Sequence, residues 1–309
     1  MSSIPYCKGF IEMNTNIGRR DLLKLASIGG VVFASGLVGR SHAGAADAPD
    51  FFFLQLSDSH WGFAGPPNPD AAVTLPKAVE TVNSLDIKPD FIVFTGDLTQ
   101  ITDDTNERRR RMTEFKAIVG KLKVKEVRFL AGEHDASLDL GATYKEFFGA
   151  PYYSFDLKGV HFIALDNVSD PASRLGEGQI DWLRQDLASH DKSQKIVVLA
   201  HRPLFDLYPE WDWATVDGSA ALELLAPFAH VTVFYGHIHQ ENHHMTGHIA
   251  HHSAKSLIFP LPAPGATPKR TPVPWNPAEP YSGLGFRSIK TDLAKSDYAI
   301  VEYSVVRRS

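Results

Sequence analysis

Histidine and carboxylate side chains occur in five short clusters in the central part of the chain, and each cluster follows a run of apolar residues. Carboxylate oxygens and imidazole nitrogens bind metal ions, and the same groups transfer protons. A single cluster of this kind is ordinarily a helix cap or a surface histidine, whereas five together favour a metal-dependent catalytic site. The clusters are Asp58 with His60, Asp97, Glu133 with His134 and Asp135, His201, and His237 with His239.

The spacing within the clusters suggests how their side chains are directed. Asp58 and His60 are two residues apart, so in an extended chain their side chains face the same side. The same holds for His237 and His239 if that segment is extended, whereas a turn there lets the two imidazoles serve different ions. Glycines at positions 96, 132 and 236 precede the key side chains and allow a sharp turn and a close backbone approach.

The elements that must position these clusters alternate between strand and helix patterns. The alternation predicts an α/β domain with helices packed on a largely parallel sheet, whose functional site forms beyond the carboxyl ends of the strands. We therefore expect the five clusters to converge at one edge of one sheet. Strands are predicted at 51–56, 91–95, 126–130, 152–157, 160–165, 196–200, 231–235 and 298–306, and helices at 71–85, 107–122, 179–188 and 219–228.

Two connections have their own signals. The strands at 152–157 and 160–165 are predicted to form a hairpin that turns at Lys158 and Gly159. The segment 261–280 is rich in proline, which predicts an extended surface loop. No linker interrupts the alternation before this loop, so residues 46–309 are predicted to form a single domain.

Composition narrows the class of protein. The chain has 309 residues, of which 43% are apolar and 22% charged, as expected of a globular protein. A sequence pI near 6.3 gives no general electrostatic reason to bind nucleic acid. The lone cysteine, Cys7, excludes a disulfide framework and any cysteine-rich metal site. A metal ion would therefore be held by His, Asp, Glu or Asn side chains.

The first 45 residues have the features of an export signal. Arg19 and Arg20 precede an apolar run at 25–39, and a small-residue cleavage site follows at 43–45. The run is shorter than the ~20 residues that span a bilayer as a helix. An ordinary N-terminal helix and a membrane anchor are the alternatives.

The paired arginines resemble a twin-arginine signal. The expected partner is then the twin-arginine export machinery, and the expected location is the periplasm or another extracytoplasmic space, with no stable membrane span after cleavage. Segment 1–45 carries five basic and two acidic residues, so its removal changes the formal net charge from −5 to −8.

The five clusters, in this order, resemble the calcineurin-like metallophosphoesterase family, whose pattern is D-x-H, G-D, G-N-H-[DE], H and G-H-x-H. All five blocks are present between Asp58 and His239. Segments 91–100, 178–187 and 200–204 also resemble, more loosely, the class III cyclic-nucleotide phosphodiesterase branch. The resemblance implies a four-layer α/β/β/α sandwich, in which helices flank two mixed β-sheets.

The resemblance also implies a centre of two divalent or trivalent metal ions (Fe, Mn or Zn). Asp58, His60 and His239 would hold the first ion. Glu133, His201 and His237 would hold the second, with Asp97 bridging the two.

The same resemblance implies that a metal-activated hydroxide hydrolyses a small-molecule phosphate ester, which is either a phosphodiester or a phosphomonoester, with the phosphodiester favoured. His134 would face the scissile ester as the general acid, and Asp135 would orient and charge it.

Glu133 departs from the family pattern, which has asparagine at this position. Glutamate adds a negative charge and a longer arm, so we expect it to bind the second ion more tightly or to reach a different position. An alternative is that it points away and a water takes its place. The added charge weakens the ion as a Lewis acid and repels phosphate. The departure therefore keeps open a second function, an extracytoplasmic metal-binding protein of this fold with little hydrolytic activity, used for sensing or interaction.

Other polar residues near the clusters have two interpretations each. Arg202 is a candidate for binding the substrate phosphate, because its planar guanidinium suits phosphate, and a surface ion pair is the equal alternative. The histidines at positions 243, 244, 248, 251 and 252 are interpreted as a polar hairpin beside the site, with a second metal site as the alternative.

Overall fold

The computed structural model describes residues 32–34, 52–291 and 298–306. Its strands are β1 (Val32–Ala34), β2 (Phe52–Leu56), β3 (Phe91–Thr95), β4 (Val127–Leu130), β5 (Tyr153–Leu157), β6 (Val160–Ala164), β7 (Lys195–Leu199), β8 (His230–Tyr235), β9 (Asn242–Thr246), β10 (Ile249–Ser253), β11 (Gly285–Thr291) and β12 (Tyr298–Ser304). Its α-helices are α1 (Ala71–Asn83), α2 (Thr105–Val119), α3 (Glu133–Ala136), α4 (Ala142–Phe148), α5 (Glu177–Ala188) and α6 (Gly218–Leu225), and a 3₁₀ turn covers Pro209–Trp211.

The strands form two mixed sheets. The first has the order β1-β12-β11-β2-β3-β4, and the second has the order β5-β6-β7-β8-β10-β9. Strands β2 to β4 are parallel to one another, as are β6, β7, β8 and β10. The predicted sandwich of two mixed sheets flanked by helices is confirmed. The expectation that all five clusters follow strands of one sheet is wrong, because three follow strands of the first sheet and two follow strands of the second.

An aromatic core lies between the two sheets. Phe53 and Phe91 of the first sheet stack at 4.8 Å between ring centroids, and Phe162 and Phe234 of the second sheet meet Phe53 edge-on at 5.7 and 5.6 Å. The alternate residues of β2 and β3, such as Leu54, pack instead against the helices on the outer face. Because both faces of these strands are buried, their residues are mainly apolar on both faces, so the sequence does not reveal what covers each face.

Several connections follow the sequence-based expectations. Strands β5 and β6 form the predicted hairpin, in which Lys158 and Gly159 have φ values of 47° and 80°. The segment 261–280 contains no helix or strand, as predicted. Strands β9 and β10 form an antiparallel hairpin that carries the histidine-rich segment.

Other elements were placed wrongly or missed. Helix α2 begins at Thr105 rather than at residue 107, because the carboxylate of Asp104 accepts the backbone N–H groups of Asn106 and Glu107. The short helices α3 and α4 and the strand β11 were not predicted.

The N-terminal prediction is largely outside the described residues. Of the predicted export signal, only the strand β1 is described, and it pairs antiparallel with β12 at the edge of the first sheet. Within the described ranges, no helix is both long enough and apolar enough to cross a membrane.

Candidate metal centre

The five clusters meet where the carboxyl ends of β2, β3 and β4 face those of β7 and β8. Two side chains tie the sheets together at this edge. Gln55 donates one hydrogen bond to the Tyr235 carbonyl at 2.9 Å and another to the Thr95 hydroxyl at 3.1 Å. His201, from the second sheet, donates from Nδ1 to the carbonyl of Thr95 at 2.6 Å. The clusters therefore converge across the sandwich rather than along one sheet.

The backbone at five of the seven candidate ligands is left-handed rather than extended. Such φ values are uncommon for residues other than glycine, and they cluster at functional sites, where the surrounding structure must stabilise them. The premise that Asp58 and His60 lie on an extended segment is therefore wrong, and His237 and His239 lie in a turn. The values are 53° for Asp58, 42° for His60, 49° for Asp97, 65° for His237 and 52° for His239.

The structure brings the candidate ligands into two adjacent groups. Within each group, one ligand atom per residue lies within 4.8 Å of the others. The division is the one that the family resemblance implies, and His237 and His239 fall in different groups. The first group is Asp58, His60 and His239, and the second is Asp97, Glu133, His201 and His237.

Asp97 lies between the two groups. Its Oδ2 atom is 3.3 Å from Nε2 of His60 and 3.5 Å from Nε2 of His201. Its other oxygen accepts the backbone N–H of His134 at 2.9 Å, which fixes the carboxylate. In the first group, Nε2 of His239 is 3.3 Å from both Asp58 Oδ1 and His60 Nε2. The position of Asp97 suits a ligand shared by two ions.

Glu133 points into the second group. Its Oε2 atom is 2.9 Å from Nε2 of His201, and its Oε1 atom is 2.9 Å from Nδ1 of His237. The alternative in which Glu133 points away from the site is therefore wrong. Burial opposes the charge, but the adjacent imidazoles of His237 and His201 hold the pKa of the Glu133 carboxyl well below its usual range.

Each of the four candidate imidazoles donates its outer N–H to an oxygen atom that cannot donate in return. The inner nitrogen of a neutral ring must then present a lone pair to the centre, as in histidines that bind metal ions. The bonds run from His60 to the side-chain oxygen of Gln100 at 3.0 Å, and from His201, His237 and His239 to the carbonyls of Thr95, Asp212 and Phe259 at 2.6, 3.0 and 2.8 Å.

A lone pair that faces a carboxylate oxygen requires a cation between them. Glu133 Oε2, His201 Nε2 and His237 Nδ1 are buried, and none of the three makes a hydrogen bond. Burial lowers the pKa of His237 and lowers that of His60 to about 3, so both rings are neutral. Although burial opposes it, Asp97 and Glu133 hold the pKa of His201 well above its usual value, so at this ring a metal ion would take the place of a proton. The donor set therefore fits metal ions.

His134 and Asp135 differ in their contacts from the implied roles. His134 lies beside His60, with ring centroids 4.5 Å apart, and its Nδ1 accepts the backbone N–H of Ile101 at 3.2 Å. Its Nε2 therefore carries the proton in the neutral ring. Asp135 is buried and accepts hydrogen bonds from the backbone N–H groups of Leu98, Thr99 and Gly132 and from the Thr99 hydroxyl.

The prediction that Asp135 orients His134 is thus corrected, since the carboxylate instead joins the loops after β3 and β4. Burial, together with the charge of Asp97, raises the pKa of Asp135 to about 6.

Arg202 lies behind Glu133 rather than on the surface. Its side chain is 3% exposed, and its Nε atom is 3.8 Å from Glu133 Oε2. Its two terminal nitrogens donate to the carbonyl and the carboxylate of Asp212. The predicted ion pair is thus present, with the exposed carboxylate of Asp212, although Arg202 itself is buried. The predicted contact with substrate phosphate is not favoured, because both terminal nitrogens are engaged.

The remaining histidines lie elsewhere. His243 and His252 meet across the β9–β10 hairpin with Nδ1 atoms 2.6 Å apart, and none of the metal-ligating groups found in the described ranges includes the hairpin histidines. A separate group contains Asp156, His161 and His190. Both nitrogens of His161 contact carboxylates, those of Asp156 and Asp186, at 2.9 and 2.7 Å, as in a buried ion pair.

Sequence reasoning missed the oxygen atoms that orient the imidazoles. Gln100 follows Asp97 by three residues, and its place in the motif at 91–100 is a signal that could have found it. The carbonyls of Phe259 and Asp212 lie in loops. Because any residue type supplies a carbonyl, no signal in the sequence marks them.

Comparisons with known proteins agree with this geometry. Residues 53–241 match the family model described as calcineurin-like phosphoesterase. The chain is 28% identical over 183 residues to the serine/threonine-protein phosphatase CPPED1 of Rattus norvegicus, a match that covers 53% of this chain and 58% of that protein. It is 31% identical over 169 residues to a probable cyclic nucleotide phosphodiesterase of Rhodococcus erythropolis, which covers 50% and 54%. The chain thus spans little more than half the length of these relatives.

A solved structure supports the fold. The crystal structure of a dimetal phosphatase from Danio rerio superposes with a TM-score of 0.55 at 15% identity, covering 84% of this chain and 99% of that one. At this identity the likeness concerns the fold alone.

A substitution at Gly132 tests whether the loops after β3 and β4 must lie in close contact. A Cβ atom at Gly132 would lie 2.0 Å from Asp97 Oδ1 and 2.1 Å from the Asp97 backbone nitrogen. We expect Gly132→Ala to displace Asp97, to reduce bound metal and to lower the free energy of unfolding by about 1–3 kcal/mol. Denaturant unfolding and elemental analysis measure these effects.

Gly178→Ala is the control, because nothing lies within 4 Å of its Cβ position in α5. It is expected to stabilise by about 0.5–1 kcal/mol. Full stability and metal content in Gly132→Ala would contradict the tight approach.

Proposed function

Because this chain belongs to the calcineurin-like phosphoesterase family, we propose that it is an exported, dinuclear metal-dependent hydrolase of small-molecule phosphate esters, with phosphodiesters as preferred substrates. The observation that carries the proposal is the pair of adjacent ligand groups in which imidazole lone pairs face carboxylates. Two cations, one in each group, satisfy both sets of donors. The relatives support a phosphatase or phosphodiesterase, since their names state these activities.

The two ligand groups would each hold one ion, with Asp97 shared between them. When bound, the ions supply positive charge for the phosphoryl oxygens and lower the pKa of a water from about 15.7 toward about 7. Oxygen and imidazole ligands without thiolate suit Fe, Mn or Zn.

Residues of this chain then act on the ester. His134 is partly exposed beside His60 and has its proton on Nε2, the atom that can donate to the leaving oxygen. The hydrogen bond from the Ile101 N–H to Nδ1 of His134 holds the ring in this tautomer and orientation. Asp97 holds the backbone of His134 through its N–H, so the shared carboxylate and the proton donor keep a constant separation. This arrangement suits general acid catalysis, which contributes about 10²–10⁴-fold.

Charge favours diesters over monoesters. Asp58, Asp97 and Glu133 place three carboxylates at the site, so an anionic ester needs bound cations before it can enter. Glu133 in place of a neutral asparagine removes one unit of positive charge from the loaded centre. Since Coulomb repulsion scales with charge, a dianionic monoester is disfavoured more than a monoanionic diester.

A metal-binding protein with little turnover is the second candidate function. The observation that favours it is again Glu133, whose carboxylate would reduce the Lewis acidity of the ion that it contacts. Two bound metal ions without hydrolysis of a broad ester panel would favour this second function.

Metal loading and hydrolysis test the proposal directly. We expect about two metal ions per chain by elemental analysis, hydrolysis of a chromogenic diester with Mn or Fe, and loss of hydrolysis after chelation. His134→Ala is expected to retain its metal ions but to lose about 10²–10⁴-fold in kcat. A metal content below one ion per chain, or full activity in His134→Ala, would overturn the assigned mechanism.

The variant Glu133→Asn tests the effect of the Glu133 charge on hydrolysis separately from any effect on the stability of the fold. With both ions bound, we expect it to unfold like the native protein and to hydrolyse the diester about tenfold faster, since a more positive centre stabilises the phosphoryl charge better. The monoester is expected to gain more than the diester, so the ratio of the two kcat/KM values is the decisive measurement. An unchanged ratio in the metal-loaded variant would contradict the charge argument.

Export is tested by the paired arginines. Arg19→Lys with Arg20→Lys retains the charge but removes the twin-arginine pattern, so the protein is expected to remain in the cytoplasm. Cell fractionation measures its location, and a protein with unaltered arginines is the control. Equal export of both proteins would argue against this route.

A further inference from the structure

Arg202 and Glu133 form a charge pair at the edge of the second ligand group. Arg202 Nε is 3.8 Å from Glu133 Oε2, and their side chains are 3% and 19% exposed. Charges this deeply buried are weakly screened, so an unpaired one is costly. The nearest carboxylate oxygen of Glu133 faces Arg202 on one side and His201 on the other.

Arg202 is held in place on its far side. Asp212 accepts its two terminal nitrogens, one at the carbonyl and one at the carboxylate. The side chain of Asn167 brackets the Arg202 backbone, accepting its N–H at 3.3 Å and donating to its carbonyl at 3.0 Å. Neither Arg202 nor its Nε has room to turn toward a substrate, and that Nε makes no hydrogen bond.

Asp212 joins this pair to a ligand of the same group. Its carbonyl accepts from Arg202 at 2.8 Å and from Nε2 of His237 at 3.0 Å. The opposite nitrogen of His237 is 2.9 Å from Glu133 Oε1. Glu133, Arg202, Asp212 and His237 therefore form a closed ring of contacts.

We infer that Arg202 is a positioning residue that partly offsets the negative charge that Glu133 adds in place of the neutral asparagine of the family pattern. This inference rests on the proposed metal site. The glutamate adds one negative charge to the second ligand group and the buried guanidinium adds one positive charge behind it. Arg202 thus sets metal and phosphate affinity without touching the ester.

The pairing predicts opposite effects for the two single changes. Arg202→Met leaves Glu133 uncompensated, so the second metal ion binds more tightly, by about tenfold, and inorganic phosphate binds the loaded protein more weakly. Glu133→Asn leaves Arg202 with the exposed Asp212 carboxylate as its remaining partner, so metal binds at least about tenfold more weakly and phosphate more tightly. The double variant lacks both charges, so its metal and phosphate affinities are expected to lie between those of the two single variants.

Metal dissociation constants by chelator competition and phosphate dissociation constants by calorimetry measure these effects without turnover. Arg202→Lys is the matched control, because it loses the forked contact with Asp212 but retains the positive charge, so both constants are expected to stay within about threefold. Asp212→Asn retains the carbonyl contacts and is expected to change little, since its carboxylate is 59% exposed.

The outcomes distinguish a failure of the proposed metal site from a failure of the charge pairing. Native protein that binds no metal overturns the proposed function. Native protein that binds metal, together with a folded Arg202→Met whose metal affinity is unchanged or weaker, overturns the charge pairing alone. If Arg202→Met does not fold, the double variant is compared with Glu133→Asn. The pairing then requires tighter metal binding in the double variant, and equal or weaker binding overturns it.

Discussion

Every candidate imidazole at this centre has its outer nitrogen committed to an oxygen acceptor, and the rest of the site depends on that constraint. A ring that donates outward presents its lone pair inward, and inward lie Asp58, Asp97 and Glu133. Nitrogen lone pairs and carboxylates repel one another, so the arrangement is stable only with cations among them. The loops after five strands, the left-handed backbone and the contact between the sheets all serve to hold these donors face to face.

The strands that could be predicted from the sequence are those formed by continuous runs of apolar residues. Strand β3 was predicted with its observed bounds, because both of its faces are buried. Strand β11 was missed because its polar residues are accommodated by distant partners, as Arg287 is by Glu302 of β12. A pairing partner far along the chain cannot be inferred from local periodicity. For the same reason, apolar strands did not show whether a helix or a second sheet covers them.

At the site, residue types and their order were enough to show which side chains could bind metal, because imidazole and carboxylate chemistry is visible in the sequence, and the family resemblance implied their division into two groups. Roles that depend on which side chains are in contact in the folded protein were not predictable. Asp135 was expected to face His134 and instead binds three backbone amides, while Arg202 was expected at the surface or at the substrate and lies buried. In both cases the hydrogen-bond partners lie in another loop, and the local sequence does not reveal which loop that is.

The division of the site between two sheets has a mechanical consequence. The chain has one cysteine, so no disulfide can join its two sheets. His60 and His239, which follow strands of different sheets, are 179 residues apart and belong to the same ligand group. An ion held by both would close a loop of that length, and in the chain-entropy model a long closed loop restricts the unfolded chain by about 4–5 kcal/mol. The cation would then act as a cross-link between the two sheets. Its removal would lower the stability of the fold as well as abolish the proposed activity.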